Sequence, residues 1–158
     1  MAFNHAIILS ALITATAGLS FAGGHGGNPA VKARQSHMQL YAHNIGILGA
    51  MAKGEAEYDA DAASAAAGNL AALTKLNQMS YWPAGTSNAE LGDETRALPA
   101  IWEEGGFAKA IEISTAMAAA ADELAAAAGN GQAAIGGAIG PVGQQCGDCH
   151  KAFQQPRN

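Results

Sequence analysis

The chain has 158 residues, 13% of them charged, and a formal net charge of −5 at pH 7. This length predicts one domain, and the absence of a basic run argues against nucleic-acid binding, because a phosphate backbone requires clustered Lys and Arg. An acidic surface would suit a soluble partner protein that carries a basic docking patch.

Residues 1–22 have the features of an export signal peptide. Residues 6–19 are mostly apolar, and Ser20-Phe21-Ala22 places small residues at the −3 and −1 positions of a cleavage site. The apolar run is short for a membrane span and contains Ser and Thr, which favours cleavage over a membrane anchor. The mature domain would then be residues 23–158. In a bacterium this export leads to the periplasm, and we expect no membrane partner after cleavage.

Two helices are predicted in the first half of the mature domain. Asn28-Pro29 provides an N-cap and a first-turn proline, so the first helix should cover about 29–53. Its apolar face has helical spacing and consists of Met38, Tyr41, Ala42, Ile45, Leu48, Met51 and Ala52. The second helix should begin near Tyr58, with Asp59 or Asp61 as its N-cap. Its apolar face consists of Ala63, Ala66, Leu70, Leu73 and Leu76.

The second half of the chain predicts an irregular connection and two further helices. Residues 77–98 should pack across the other elements or cover a cofactor. A helical region begins at Pro99, is interrupted at Gly105-Gly106 and continues over about 107–128. Its face consists of Phe107, Ile111, Ser114, Met117, Ala118, Ala121, Leu124 and Ala128. The fourth helix should be kinked by Pro141, and its stripe consists of Ile135, Ile139, Val142, Cys146, Cys149 and Phe153. Four amphipathic helices without strands predict an all-α, antiparallel four-helix bundle.

The fourth helix contains the motif Cys146-Gly147-Asp148-Cys149-His150, which is typical of covalent haem attachment. Each thiol can add across a haem vinyl group, and the imidazole can ligate the iron. A local disulfide, a redox pair or half of a zinc site are the alternatives. A zinc site would need two further Cys or His ligands at finger-like spacing, which the sequence does not offer. A thioredoxin-like site would lie beside strands, and none are predicted. We therefore favour one covalent haem c held between the helices, because both cysteines lie in the apolar stripe.

The segment Arg-Gln-Ser-His-Met at 34–38 and the motif at 146–150 together resemble a class II c-type cytochrome, a family that includes cytochrome c′ and its low-spin relatives. The resemblance extends over the mature chain and includes residues 50–54 and 69–73. It implies an antiparallel four-helix bundle in the periplasm, often a homodimer. Many members have a basic residue four positions after the haem histidine, but this chain has Gln154 there.

The resemblance implies that Met38 faces the distal side of the haem iron. In cytochrome c′ this position carries a non-ligating group, and the five-coordinate iron binds nitric oxide or carbon monoxide. In the low-spin relatives a methionine ligates the iron and the protein carries electrons. A methionine in a helix stripe is more often core filler, but a thioether is a good ligand for iron(II). Arg34, one turn earlier, can either extend to solvent or contact a haem propionate.

The sequence thus predicts a periplasmic electron-transfer cytochrome with His150 and Met38 as axial ligands, which exchanges electrons with a redox partner protein. The alternative is a five-coordinate protein that binds nitric oxide or carbon monoxide. We expect no enzymatic activity, because the pattern places no acid–base residue over the iron. His37 and His43 are about 100° and 140° from Met38 around the helix, so both are expected on the exposed surface.

Overall fold

The computed structural model describes residues 27–157, so the predicted signal peptide at 1–22 lies outside the described residues. The helices are α1 (Pro29–Lys53), α2 (Ala60–Thr74), α3 (Asn88–Leu91), α4 (Gly106–Ala127) and α5 (Gln132–Phe153). Residues 27–157 contain no strand, only an isolated antiparallel bridge between Ala97 and Gln154, and the predicted all-α class is confirmed. None of the helices in this range combines the length and the apolar character needed to cross a bilayer.

The ends of the first two helices are fixed by local chemistry. The side chain of Asn28 accepts hydrogen bonds from the backbone N–H groups of Ala30 and Val31, and α1 ends where Gly54 adopts a left-handed φ of 74°. The predicted span of 29–53 is therefore confirmed. Asp59, one of the two predicted candidates, caps α2 by accepting from the N–H of Ala62.

The four long helices form an antiparallel bundle in which α1 packs against α2 and α5, and α4 packs against the same two helices. Short connections join α1 to α2 and α4 to α5, as antiparallel neighbours require. The Tyr58 hydroxyl ties these two connections together, because it donates to the Ala128 carbonyl and accepts from the Gly131 N–H, both at 2.9 Å. The fully buried side chains near this end of the bundle include Leu48, Leu124 and Ile135.

The start of α4 depends on a close backbone approach. A Cβ atom at Gly106 would lie 2.2 Å from the Ala100 carbonyl oxygen, so only glycine fits there. Gly105 precedes it with a φ of 80°. The predicted interruption is therefore a tight turn that folds the 3₁₀ segment Pro99–Ile101 over the first turn of α4.

The buried face of α1 differs from the predicted one. Its buried side chains are Val31, Arg34, His37, Tyr41, Asn44, Leu48 and Met51. Three of the seven are polar, and apolar periodicity does not detect polar residues. The expectation that His37 is exposed is wrong, because it is only 4% exposed and packs edge-on against Tyr41, with ring centroids 4.5 Å apart. His43 is exposed, as expected.

The buried face of α4 also differs from the predicted one. Ile113, which the apolar pattern did not include, is buried, whereas the predicted Ile111 is 56% exposed.

Burial makes His37 a source of acid sensitivity. Burial lowers the pKa of His37 below its ordinary value of 6.5, and no group among the described residues hydrogen-bonds to its Nε2 atom. The unfolded chain then takes up this proton at a higher pH than the folded protein. The free energy of unfolding should therefore fall as the pH drops below about 6.5.

We expect His37→Phe to weaken this pH dependence in urea unfolding measured between pH 7.5 and pH 5. His43→Phe is the matched control, because His43 lies on the exposed side of the same helix. A His37→Phe variant with the same pH dependence as wild type would show that His37 is not the responsible group.

Candidate functional site

A cavity of about 520 Å³ lies at the end of the bundle opposite Tyr58. The first half of α1, the end of α2, the start of α4 and the end of α5 line it, and parts of the connection between α2 and α4 complete its wall. The volume lies within the range of about 300–1,000 Å³ that is usual for ligand and cofactor sites. The connection at 77–98 therefore covers a cavity, as the sequence predicts.

All five site residues predicted from the sequence line this one cavity. Cys146, Cys149 and His150 come from α5, and Arg34 and Met38 come from α1. The two cysteines are three residues apart and thus about one helical turn apart. Both are half-buried free thiols, whereas His150 is exposed. The fold brings the thiol pair, the imidazole and the thioether together from opposite ends of the chain.

The mouth of the cavity is unusually apolar for an exposed surface. Met38, Leu76, Met79 and Ile111 are 37%, 51%, 61% and 56% exposed, respectively, and all four line the cavity. Exposed apolar side chains gathered in this way mark a binding site. Three of them, Met38, Leu76 and Ile111, are predicted above to face the protein interior. All three are exposed rather than packed in the core, and they line the cavity.

The charges of the cavity suit an anionic ligand. Arg34 and Arg96 line it, and no Asp or Glu is among its described lining residues. Partial desolvation of the imidazole by the cavity wall, together with the positive charge of Arg96, lowers the pKa of His150 below its ordinary value of 6.5, although the residue as a whole is exposed. The imidazole is therefore neutral at pH 7, the form that ligates metals. Burial raises the pKa of both cysteines, so both are protonated thiols at that pH.

Arg34 is a buried anchor of the connection, because it is only 3% exposed and does not extend to solvent. Its Nη1 atom donates to the Tyr81 carbonyl at 3.2 Å and to the Thr86 hydroxyl at 2.9 Å. Its Nη2 atom donates to the Thr86 carbonyl at 2.5 Å and to the Thr95 hydroxyl at 2.8 Å. The guanidinium also lies 4.9 Å from the centre of a Trp82 ring. A contact between Arg34 and a haem propionate remains a prediction.

The sequence analysis missed two cavity residues. Arg96 lies in the irregular connection, where no periodicity indicates which way a side chain points. Met79 follows the end of α2, outside any predicted helix face, and also lines the cavity. Tyr41 was placed correctly on an apolar face, and burial raises the pKa of its hydroxyl to about 12. Only the folded connection shows that all three border the same space.

A four-helix bundle that places two thiols, an imidazole and an apolar mouth around one cavity has the architecture of a class II c-type cytochrome. Residues 29–154 match the family model described as Cytochrome C'. A cytochrome c-554 from Cereibacter sphaeroides is 40% identical over 126 residues, which cover 79% of this chain and 80% of that protein. A cytochrome c' from the same organism is 42% identical over 129 residues, covering 80% and 83%, respectively.

A solved structure of cytochrome c' from Rhodobacter Spheriodes has the same fold, with a TM-score of 0.75 and 39% sequence identity. The match covers 81% of this chain and 96% of that one. The chain belongs to the cytochrome c′ family. It is accordingly a haem protein, and the cavity and its donor groups fit that cofactor.

Proposed function

We propose that the protein is a periplasmic electron-transfer cytochrome with one covalently bound haem c. The observation that supports this most is the convergence of Cys146, Cys149, His150 and Met38 on one cavity of about 520 Å³. Haem, when bound, supplies a one-electron ferrous–ferric couple. The periplasmic location rests on the predicted signal peptide at 1–22.

The helix α5 supplies the groups that hold the cofactor. In this proposal the thiols of Cys146 and Cys149 form thioether bonds to its vinyl groups, and the neutral imidazole of His150 ligates the iron. Val142 and Phe153 are buried on either side of the motif, so packing fixes the position of this stretch of helix. An anchored helix keeps its donor groups in place whatever the charge on the iron.

Met38 is proposed as the second axial ligand. It follows the buried residues Arg34 and His37 and precedes the buried Tyr41, so the backbone that carries the thioether is held rigidly. Methionine–histidine ligation raises the reduction potential, and two ligands that stay bound keep the structural change on electron transfer small. An acidic chain with a net charge of −5 would favour a redox partner with a basic docking patch. The family resemblance adds a homodimer to this proposal.

A second candidate function is the binding of nitric oxide or carbon monoxide at a five-coordinate haem. The relative named cytochrome c' is as similar to this chain as the relative named cytochrome c-554. A solved structure of cytochrome c prime from Alcaligenes xylosoxidans, 29% identical with a TM-score of 0.68, is a ferrous variant with bound NO. Met38 would then only cover the cavity, which agrees with its 37% exposure.

The spin state of the ferric protein separates the two candidates. We expect the absorption and EPR spectra of the purified holoprotein to be low-spin, because both a histidine and a methionine ligate the iron. A high-spin or mixed ferric spectrum, together with fast carbon monoxide binding to the ferrous form, would favour the second candidate.

A further inference from the structure

The two arginines of the cavity are in different states. All four hydrogens on the terminal nitrogens of Arg34 are directed to oxygens of the connection. Its guanidinium thus has only the Nε hydrogen left, because both terminal nitrogens hold Tyr81, Thr86 and Thr95. A side chain in this state has little capacity to form the paired hydrogen bonds by which arginine binds a carboxylate.

Arg96 is half-buried, lines the cavity and has unused donors. Its Nε atom donates to the Gln155 carbonyl at 2.9 Å, and Nη2 donates to the same oxygen. Its Nη1 atom has no protein partner among the described residues, and no described carboxylate pairs with it. A guanidinium on a cavity wall without a counter-charge is costly, so an anionic ligand would stabilise it.

The position of Arg96 is fixed by backbone pairing with the end of α5. The Gln155 N–H donates to the Arg96 carbonyl at 2.8 Å, and the adjacent residues Ala97 and Gln154 form the isolated bridge. The Gln154 N–H in turn donates to the carbonyl of His150 at 3.0 Å. The guanidinium of Arg96 is therefore held at the end of the helix that carries His150, and both side chains line the same cavity.

We propose that Arg96 is the positioning residue that binds a carboxylate of the haem, while Arg34 holds the connection in place. This inference rests on the proposed function, since it requires haem in the cavity. Haem carries two negatively charged propionates. The cavity wall holds two arginines and no described Asp or Glu, so its charge complements them. Because the ferrous cofactor has one positive charge fewer than the ferric one, a nearby cation also favours reduction.

The test is the reduction potential of the Arg96→Gln holoprotein. Glutamine keeps a hydrogen-bond donor but removes the charge. We expect the ferric–ferrous equilibrium to shift about tenfold towards the ferric form, which is about 59 mV for one electron. Arg96→Lys retains the charge, so its ferric–ferrous equilibrium constant should stay within about threefold of the wild-type value.

The matched control is Lys151→Gln, which removes an equal charge one residue after His150. Lys151 is exposed and does not line the cavity. We therefore expect its removal to shift the ferric–ferrous equilibrium by less than about threefold. The proposal fails if Arg96→Gln shifts the equilibrium no more than this control. It also fails if the reduction potential of Arg96→Lys falls as far as that of Arg96→Gln. The fall would then come from weaker anchoring of the connection and not from the lost charge.

If Arg96→Gln alone does not accumulate, it can be combined with Gln154→Arg, which returns a guanidinium to a bridge residue that lines the same cavity. A ferric–ferrous equilibrium constant within about threefold of wild type supports the proposal, and a tenfold shift towards the ferric form overturns it. Covalent haem content, measured on each variant by an alkaline pyridine spectrum, shows whether the proposed function or only the role of Arg96 has failed. Loss of haem from the wild type contradicts the proposed function. Intact haem with an unchanged potential in Arg96→Gln contradicts only the role of Arg96.

Discussion

The Cys146→Ser/Cys149→Ser double variant should release all of its haem on acid–acetone extraction, whereas the wild-type protein should keep it. Serine hydroxyls do not form the thioether bonds, and the chain has no other cysteine to replace them. Each single variant should retain one thioether and therefore extraction-resistant haem. The singles are the internal control, because they carry the same substitutions at the same cavity wall.

Without a covalently held cofactor the double variant should also be much less stable. A cavity of about 520 Å³ would then expose Met38, Leu76, Met79 and Ile111 to water, and unfilled apolar space is destabilising. Circular dichroism of the periplasmic fraction should show a lower melting temperature or no folded protein. Haem that stays on the double variant after extraction would show that these thiols are not the attachment sites.

Met38→Ala should convert a six-coordinate, low-spin iron into a high-spin one with an open or water-occupied site. Carbon monoxide and nitric oxide should bind the ferrous form faster, because no internal ligand has to be displaced. The reduction potential should fall, since the thioether favours iron(II). Optical spectra, stopped-flow binding and a redox titration of the same preparation measure the three effects.

The matched control is Met79→Ala, because Met79 also lines the cavity and is even more exposed, at 61% against 37% for Met38. It should leave the spectrum unchanged. Because Met38 is partly exposed, packing alone should cost less than the about 2–5 kcal/mol of a buried methionine. A larger loss of stability in the holoprotein would report the iron–sulfur bond. If wild type is already high-spin and Met38→Ala leaves its spectrum unchanged, Met38 is packing only, and gas binding becomes the better-supported function.

The helices and the motif residues were predictable because their signals are local. An Asn-Pro cap, an Asp cap and the Gly-Gly turn act within a few residues, and they placed the ends of α1, α2 and α4 within a residue or two. Helical spacing alone predicted that both cysteines lie on the apolar, inward-facing stripe of α5. The family resemblance then directed Met38 and Arg34 to the same site.

The faces of α1 and α4 were harder to predict, because burial there is decided by contacts between distant elements. His37 is buried because Tyr41 and Tyr81 enclose it, and Tyr81 belongs to the irregular connection. Arg96 reaches the cavity only because its segment pairs with the end of α5, about 60 residues later. No periodic pattern describes such a connection, so tertiary structure was needed to detect both residues.

The two ends of the bundle should differ in local stability when haem is absent, because the Tyr58 hydroxyl ties only one of them together. The end that it ties together is filled by buried side chains, whereas the other end surrounds the cavity. In native-state hydrogen exchange, backbone amides near Leu48 and Leu124 should open only with the whole molecule. Amides near the motif of a haem-free chain should open locally and far more often. Haem attachment would thus take place on a chain whose thiols are accessible while the folded half already holds the helices in register.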